Sequence, residues 1–102
     1  MIEPDKNCSK CKRLKKFRDS NIKKYPNWFN GAVPSIINKN SEILIVGLAP
    51  GLNGANKTGR PFTGDYAGLT LFRTLKKFSL LKGQYKEDGH DNIKLENCSI
   101  TN

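Results

Sequence analysis

Residues 47–65 read GLAPGLNGANKTGRPFTGD and follow the apolar run Ile43–Val46. Five of these nineteen residues are Gly and two are Pro, which excludes the interior of an ordinary helix or strand. A helical pattern begins directly after them, near Tyr66. Because α/β proteins commonly bind ligands on a loop between a buried strand and a helix, this stretch predicts a ligand-binding loop. We call residues 47–65 the glycine-rich loop.

The segments that flank the glycine-rich loop predict a strand and a helix. Ser41–Val46 predicts the strand, and its continuous apolar run favours burial on both faces of a parallel sheet. Leu71, Leu75 and Phe78 recur at helical spacing. We expect Gly83 to end this helix, because glycine readily adopts the left-handed conformation found after helix C-termini.

The last third of the chain predicts a second strand after a polar connection. Residues 82–95 are polar and contain two glycines, which predicts a loop or a loosely paired hairpin. Residues 97–102 alternate weakly in polarity and predict the strand. Strand, loop, helix and strand together form one βαβ unit, whose crossover we expect to be right-handed. The predicted fold class is therefore α/β.

The N-terminal part of the chain predicts a basic helix followed by an ordered loop. Lys12–Lys24 is rich in Lys and Arg, and its apolar members Leu14, Phe17 and Ile22 suit an amphipathic helix. Residues 25–34 are aromatic and interrupted by Pro, which is typical of an ordered loop.

The charge balance predicts a polyanionic partner. The chain has 18 Lys and Arg against 9 Asp and Glu, a net charge of +9. Nucleic acid is the first candidate and an anionic membrane surface the second, while a surface charged only for solubility is the alternative. No apolar run approaches the ~20 residues of a membrane span, and the N-terminus shows no secretory signal. We therefore expect a cytoplasmic protein.

Three cysteines and one histidine are the candidate metal ligands. An odd cysteine count without a secretory signal argues against a disulfide framework. Cys8 and Cys11 form a C-x-x-C pair, and two thiolates do not complete a four-ligand zinc or cluster site. Cys98 lies in a strand pattern and is either a third ligand or a buried small hydrophobe. His90 stands in a polar segment and is predicted to be a surface residue.

Four side chains of the glycine-rich loop carry candidate chemistry. Phe62 either stacks on a planar ligand or anchors the loop. Asp65 immediately precedes the predicted helix and suits its N-cap, with a catalytic role as the alternative. Lys57 and Arg60 either contact phosphate or are simply solvated. The P-loop pattern G-x-x-x-x-G-K-[ST] and the dinucleotide-binding pattern G-x-G-x-x-G are both absent, which counts against a nucleotide-binding enzyme.

The glycine-rich loop resembles the first motif of the uracil-DNA glycosylase superfamily, most closely family 5, the iron–sulfur type B enzymes, and next family 4. Members of family 5 carry a loop of the type GLAPA-x-x-G-x-N-x-T-G-R-x-F-T-G-D. Trp28, Val33 and Pro34 resemble the aromatic and V-P segment that precedes the family's strand, and Cys8 and Cys11 fall where it places two cluster ligands. The resemblance implies a three-layer α/β/α domain with a central, mostly parallel sheet.

The resemblance implies a base-excision DNA repair enzyme that flips uracil or another deaminated base out of DNA. The enzyme hydrolyses the N-glycosidic bond and leaves an abasic site. The family's candidate catalytic carboxylate corresponds to Asp65, and Asn53 stands where many members have His, so both are assigned to catalysis. Lys57 and Arg60 are assigned to DNA phosphates. The residues assigned to base binding, with Phe62 stacking on uracil and Asn102 reading its edge, are Gly47, Leu48, Ala49, Pro50, Gly51, Phe62 and Asn102.

The resemblance also implies a [4Fe-4S] cluster, with Cys8 and Cys11 as two of four ligands and the others expected beyond residue 102. Residues 1–102 are predicted to be the N-terminal portion of a single glycosylase domain, with a basic Cys-containing segment at 1–40 and the βαβ unit at 41–102. We expect this portion alone to be inactive and poorly folded, and the full-length protein to be a DNA-associated monomer. The alternative is a non-catalytic nucleic-acid-binding module with a C-x-x-C metal knuckle.

Overall fold

The computed structural model describes residues 3–102, which form three helices and four strands. In chain order these are α1 (Lys12–Lys24), β1 (Ile43–Val46), α2 (Ala55–Thr58), α3 (Tyr66–Lys77), β2 (Leu81–Lys82), β3 (Lys94–Leu95) and β4 (Cys98–Thr101). The predicted basic helix, both predicted strands and the helix after the glycine-rich loop are all confirmed.

The two longer strands form a parallel pair. β1 and β4 run side by side, with Ile43 opposite Cys98 and Val46 opposite Thr101. On the other edge of β4, Ile36 and Ile100 exchange two backbone hydrogen bonds of 2.8 and 2.9 Å as an antiparallel bridge. β4 therefore lies between β1 and the segment around Ile36. The parallel β1–β4 pair, joined through α3, confirms the α/β fold class.

The apolar core lies on one face of this sheet. The short strands β2 and β3 pair antiparallel, which confirms the hairpin alternative for residues 82–95. Side chains from α3, the hairpin and β4 pack into a single buried cluster, with Ile45 of β1 against it. Its fully buried members are Phe72, Leu75, Leu81, Leu95, Cys98 and Ile100. The glycine-rich loop leaves β1 at the C-terminal end of this packed sheet.

The prediction that β1 is buried on both faces was wrong. Leu44 is 53% exposed and Val46 is 67% exposed, although Ile45 between them packs against the core. Alternate side chains of a strand point to opposite faces. Among the described residues, α3 and the hairpin cover the Ile45 face only, so Leu44 and Val46 remain accessible to solvent.

The predicted end of α3 was also wrong, because the helix ends at Lys77 rather than at Gly83. Ser79 adopts the left-handed conformation with φ of 61°, and the Leu80 N–H donates to the Leu75 carbonyl at 2.8 Å. This is the arrangement that usually places glycine after a helix, and here a serine adopts it. Gly83 instead has φ of 93° after β2, where an added Cβ would lie 2.5 Å from the carbonyl oxygen of Asn92.

α1 is only partly covered on its apolar face. Its apolar residues Leu14, Phe17 and Ile22 are each close to half exposed, while Asn21 is buried. Arg18 donates a side-chain hydrogen bond to the carbonyl of Cys8, which ties the preceding segment to the helix. Within residues 3–102, no helix has the length and apolar character that crossing a membrane would require.

Candidate functional site

Three residues assigned to base binding meet at the C-terminal end of the parallel strands. The Gly47 N–H donates to the Thr101 carbonyl at 2.8 Å, which places the start of the glycine-rich loop beside the end of β4. A Cβ added to Gly47 would overlap Oδ1 of Asn102 and would lie 2.9 Å from the ring of Phe62. The structure therefore brings Gly47, Phe62 and Asn102 together, and only glycine leaves room for the other two.

A cleft of about 490 Å³ opens next to this meeting point. Ala49, Pro50 and Asn102 line it from the loop and the end of β4, and Arg13 and Phe17 line it from α1. The volume lies within the range of small-molecule pockets, which are mostly apolar with a few polar groups. Leu48 is fully exposed, and neither it nor Gly47 or Phe62 lines the cleft.

Phe62 has a strained backbone at the edge of the site. Its φ is 56°, a region that bulky side chains rarely occupy. The side chain is half-buried and packs against the core cluster, while the ring tip lies beside Gly47. Phe62 thus anchors the loop, as one of the two alternatives predicted. Its proximity to Gly47 leaves stacking on a planar ligand as a further prediction.

Asp65 is the N-cap of α3, which confirms the capping prediction. Its backbone is extended, with φ of −120° and ψ of 174°, and Oδ1 accepts a hydrogen bond from the Gly68 N–H at 3.1 Å. The other oxygen, Oδ2, faces the turn from Gly51 to Gly54. A Cβ added to Gly51 would lie 3.1 Å from Oδ2, and one added to Gly54 would lie 2.5 Å from it. One carboxylate oxygen caps the helix while the other is directed at the loop.

Asn53 lies within that turn and is exposed. The turn is closed by the Gly51 carbonyl, which accepts hydrogen bonds from the N–H groups of Gly54 at 3.2 Å and Asn56 at 3.0 Å. The turn leads directly into α2, a single short helix that begins at Ala55. Asn53 therefore lies in the turn that Asp65 faces from the start of α3.

Lys57 and Arg60, both assigned to DNA phosphates, have very different surroundings. Lys57 is exposed, with Nζ 5.3 Å from the ring centroid of Trp28, which itself stacks on Tyr25. The Arg60 side chain is only 18% exposed and forms an ion pair with Asp91. The cation that remains available to an approaching anion is Lys57.

Asp91 is a buried partner that the sequence did not reveal. Its side chain is 1% exposed and accepts from Arg60 Nη1 at 2.8 Å and from Nη2 at 2.7 Å. The hydrogen bonds from Arg60, followed by those from the backbone N–H groups of Lys86 and Ile93, lower the pKa of Asp91 to about 2 against the opposing effect of burial. One Asp among several acidic residues of a polar segment carried no local signal of this pairing.

Polar side chains of the N-x-T-G-R stretch also hold the loop together. The hydroxyl of Thr58 lies 3.0 Å from the carbonyls of both Gly54 and Thr63. The buried Asn56 amide donates to Asn30 Oδ1 at 3.1 Å. These contacts were not predicted, although polar residues at fixed spacing in an otherwise glycine-rich stretch could have indicated that they hold the loop.

The three cysteines fall into two environments. Cys8 is half-buried and Cys11 is exposed as the N-cap residue of α1, and both thiols are free. Cys98 is completely buried, and burial raises the pKa of its thiol, so the small-hydrophobe alternative is confirmed. Among residues 3–102, no three His, Cys, Asp or Glu side chains converge as metal ligands. Cys8 and Cys11 thus fit half of the donor set of a four-cysteine cluster.

His90 is a surface residue, as predicted. Its side chain is 88% exposed, and Nδ1 lies 3.7 Å from the Asp88 carboxylate. The contact joins two exposed groups of one polar loop and brings neither of them to the cleft.

Known proteins resemble this chain over most of its length. The sequence model of the Uracil DNA glycosylase superfamily matches residues 34–102. Proteins named type-5 uracil-DNA glycosylase match at 33% identity in Pyrobaculum aerophilum, over 93% of this chain and 44% of the relative. The corresponding values are 35%, 92% and 37% in Mycobacterium tuberculosis, and 38%, 72% and 36% in Thermus thermophilus. The chain spans less than half the length of these curated relatives.

Proposed function

The chain belongs to the uracil-DNA glycosylase superfamily, and we propose that the complete protein is a DNA repair glycosylase. It flips uracil or another deaminated base out of DNA, hydrolyses the N-glycosidic bond and leaves an abasic site. The observation that carries the proposal is the convergence of Gly47, Phe62 and Asn102 beside a cleft.

This convergence supplies what an extruded base needs. A flipped base loses its stacking partners, so a pocket must replace stacking and must read the base edge. Phe62 provides an aromatic face, and the Asn102 amide donates one hydrogen bond and accepts another. Because Gly47 has no side chain, the backbone approaches the base closely between them.

Asp65 stabilises the charge that develops as the bond breaks. Departure of the base leaves positive charge on the sugar, which a nearby fixed carboxylate stabilises. Oδ1 is held by the Gly68 N–H, so the carboxylate keeps its orientation, and Oδ2 faces the loop. Asn53, on the exposed side of the same turn, offers an amide to the attacking water or the sugar.

The basic surface brings DNA to the cleft. α1 carries seven Lys and Arg among thirteen residues, of which Arg13 and Arg18 line the cleft. Lys57 extends this charge from the other side and lies next to the stacked rings of Tyr25 and Trp28. Cations beside aromatic rings suit a nucleic-acid backbone and an unstacked base.

Cys8 and Cys11 would supply two of the four thiolates of a [4Fe-4S] cluster, which would serve to fix the N-terminal segment. We assign only these two ligands, because no three His, Cys, Asp or Glu side chains converge among the described residues. The Arg18 side chain in α1 donates a hydrogen bond to the carbonyl of Cys8. A cluster bound by Cys8 and Cys11 would therefore be linked to α1. We propose no electron transfer for the cluster.

Base release tests the proposed function directly. The complete protein should be incubated with oligonucleotides that differ only in carrying uracil or thymine at one position, and then treated with alkali. We expect strand breaks at uracil and none at thymine. If the complete protein binds both oligonucleotides but releases no base of any deaminated type, the enzyme proposal is wrong and a nucleic-acid-binding module remains.

A further inference from the structure

A buried polar cluster lies directly beneath the end of the glycine-rich loop. Its centre is the Arg60–Asp91 ion pair, which joins residues 31 positions apart in the chain. Both carboxylate oxygens of Asp91 receive a guanidinium nitrogen, at 2.8 and 2.7 Å. Such a two-point pair fixes the orientation of the guanidinium as well as its position.

The guanidinium also grips the loop itself. Arg60 Nε donates to the Thr63 hydroxyl at 2.8 Å, and Thr63 is completely buried. The planar group lies 5.6 Å from the ring centroid of Phe72 and 5.7 Å from that of Tyr85. The ion pair, the hydrogen bonds and the ring contacts therefore keep the guanidinium of Arg60 packed against the protein.

Tyr85 provides a second attachment one residue further along. Its hydroxyl oxygen accepts a hydrogen bond from the Gly64 N–H at 3.1 Å, and its ring stacks on Phe72 with centroids 4.6 Å apart. Lys86 follows Tyr85 in the chain, and its N–H donates a hydrogen bond of 2.8 Å to the Asp91 carboxylate. One cluster thus joins the connection between β2 and β3 to residues 63 and 64.

We propose that Arg60, Asp91 and Tyr85 are positioning residues that hold Phe62 and Asp65 in their working geometry, and that Arg60 does not bind DNA phosphate. Arg60 and Tyr85 form hydrogen bonds with Thr63 and Gly64, the two residues between Phe62 and Asp65. This inference rests on the proposed function, since it assigns Phe62 and Asp65 to the chemistry.

The geometry argues against a phosphate role for Arg60. Turning the guanidinium toward DNA would break three side-chain hydrogen bonds and leave the Asp91 carboxylate buried without its charged partner. Removing one partner from a buried pair is strongly unfavourable.

The strained φ of 56° at Phe62 also requires neighbours that hold the backbone in place. Displacement of catalytic groups by about 1 Å can lower a rate about a hundredfold.

The experiment compares three conservative variants with a phosphate-contact control in the complete protein. Arg60→Lys keeps the charge but loses the two-point pair, Asp91→Asn removes the charge of the partner, and Tyr85→Phe removes only the hydroxyl. Each should lower single-turnover uracil release at saturating DNA about tenfold or more, with DNA affinity and its salt dependence unchanged. The double variant Arg60→Lys, Asp91→Asn should be no slower than the slower of its two single variants. Lys57→Ala should instead weaken binding and reduce the slope of log affinity against log salt by about one.

Wild-type release rates in these variants would overturn the proposal. So would an Arg60→Ala variant whose salt slope falls as it does in Lys57→Ala. Tyr85→Phe preserves the packing on Phe72 and keeps the test valid if the ion-pair variants fail to fold.

If the wild-type protein releases no base, the proposed function fails, and the positioning role is judged by hydrogen exchange at the Gly64 amide. Tyr85→Phe should accelerate that exchange at least tenfold relative to the wild-type protein. Unchanged exchange would overturn the positioning role independently of activity.

Discussion

The two carboxylate oxygens of Asp65 have different surroundings, so its capping role and its proposed catalytic role can be separated by experiment. Oδ1 caps α3 through Gly68, while Oδ2 faces the turn from Gly51 to Gly54. Asparagine caps a helix about as well as aspartate, whereas alanine does not. A pair of substitutions therefore distinguishes capping from charge stabilisation.

We predict that Asp65→Asn retains the stability of the protein and lowers the rate of base release about a hundredfold or more. Asp65→Ala should lose the same activity and in addition about 1 kcal/mol of unfolding free energy. Urea unfolding and single-turnover release measure the two effects. An Asp65→Asn variant with wild-type activity would exclude the catalytic role and leave only the cap.

Asp91 gives the stability a dependence on pH. Its pKa is lowered to about 2 in the folded protein, whereas an unfolded Asp titrates near 3.9. A lowered pKa means that the carboxylate stabilises the fold above about pH 4 and that this contribution is lost as the pH falls toward 2.

We predict that the free energy of unfolding falls between about pH 4 and pH 2, with Asp91 contributing on the order of 2 kcal/mol of the loss. Asp91→Asn should remove that part of the pH dependence. Asp19→Asn is the matched control, because Asp19 pairs with Lys15 on the exposed surface of α1, where ion pairs contribute little. Equal pH profiles for wild type and Asp91→Asn would contradict the assignment.

α3 packs closely against the glycine-rich loop because Gly68 has no side chain. A Cβ added to Gly68 would overlap the carbonyl oxygen of Phe62, and Gly68 is buried in the first turn of the helix. Alanine normally stabilises a helix relative to glycine by about 1 kcal/mol. Here the steric conflict with the loop outweighs that preference.

We predict that Gly68→Ala lowers the unfolding free energy by about 1–3 kcal/mol and lowers base release by displacing Phe62. Thr70→Ala, on the exposed side of the same helix, should leave both nearly unchanged. Thermal unfolding followed by circular dichroism, together with the release assay, checks both variants. A stabilised Gly68→Ala protein would show that the loop yields to the helix.

The chain presents a basic helix on one side of the cleft, and one face of its parallel strand pair is exposed at β1. Leu44 and Val46 of β1 are accessible, whereas β4 between β1 and the Ile36 segment is mostly buried. The cysteines follow the same division, with Cys98 in the core and Cys8 and Cys11 at the surface.

We predict that the complete protein absorbs broadly near 400 nm, roughly where Cys-ligated iron–sulfur clusters absorb. Cys8→Ala should remove this absorbance, because it deletes one of the proposed ligands. Cys98→Ala should retain it, since that thiol is enclosed by the core. Visible spectra of the purified proteins are sufficient, and full colour in Cys8→Ala would remove Cys8 from the ligand set.

The main helices and strands, and the loop that carries the candidate site, followed from local patterns of the amino-acid sequence. Apolar spacing predicts α3, the position of Asp65 before it predicts the cap, and five glycines predict the loop between strand and helix. The pairing of Arg60 with Asp91 and the exposure of Leu44 depended instead on tertiary contacts. Partner choice and burial depend on which distant segments pack together, and no local pattern encodes that. The end of α3 at Lys77 was missed for a different reason, because Ser79 adopts the left-handed conformation that sequence rules assign to glycine.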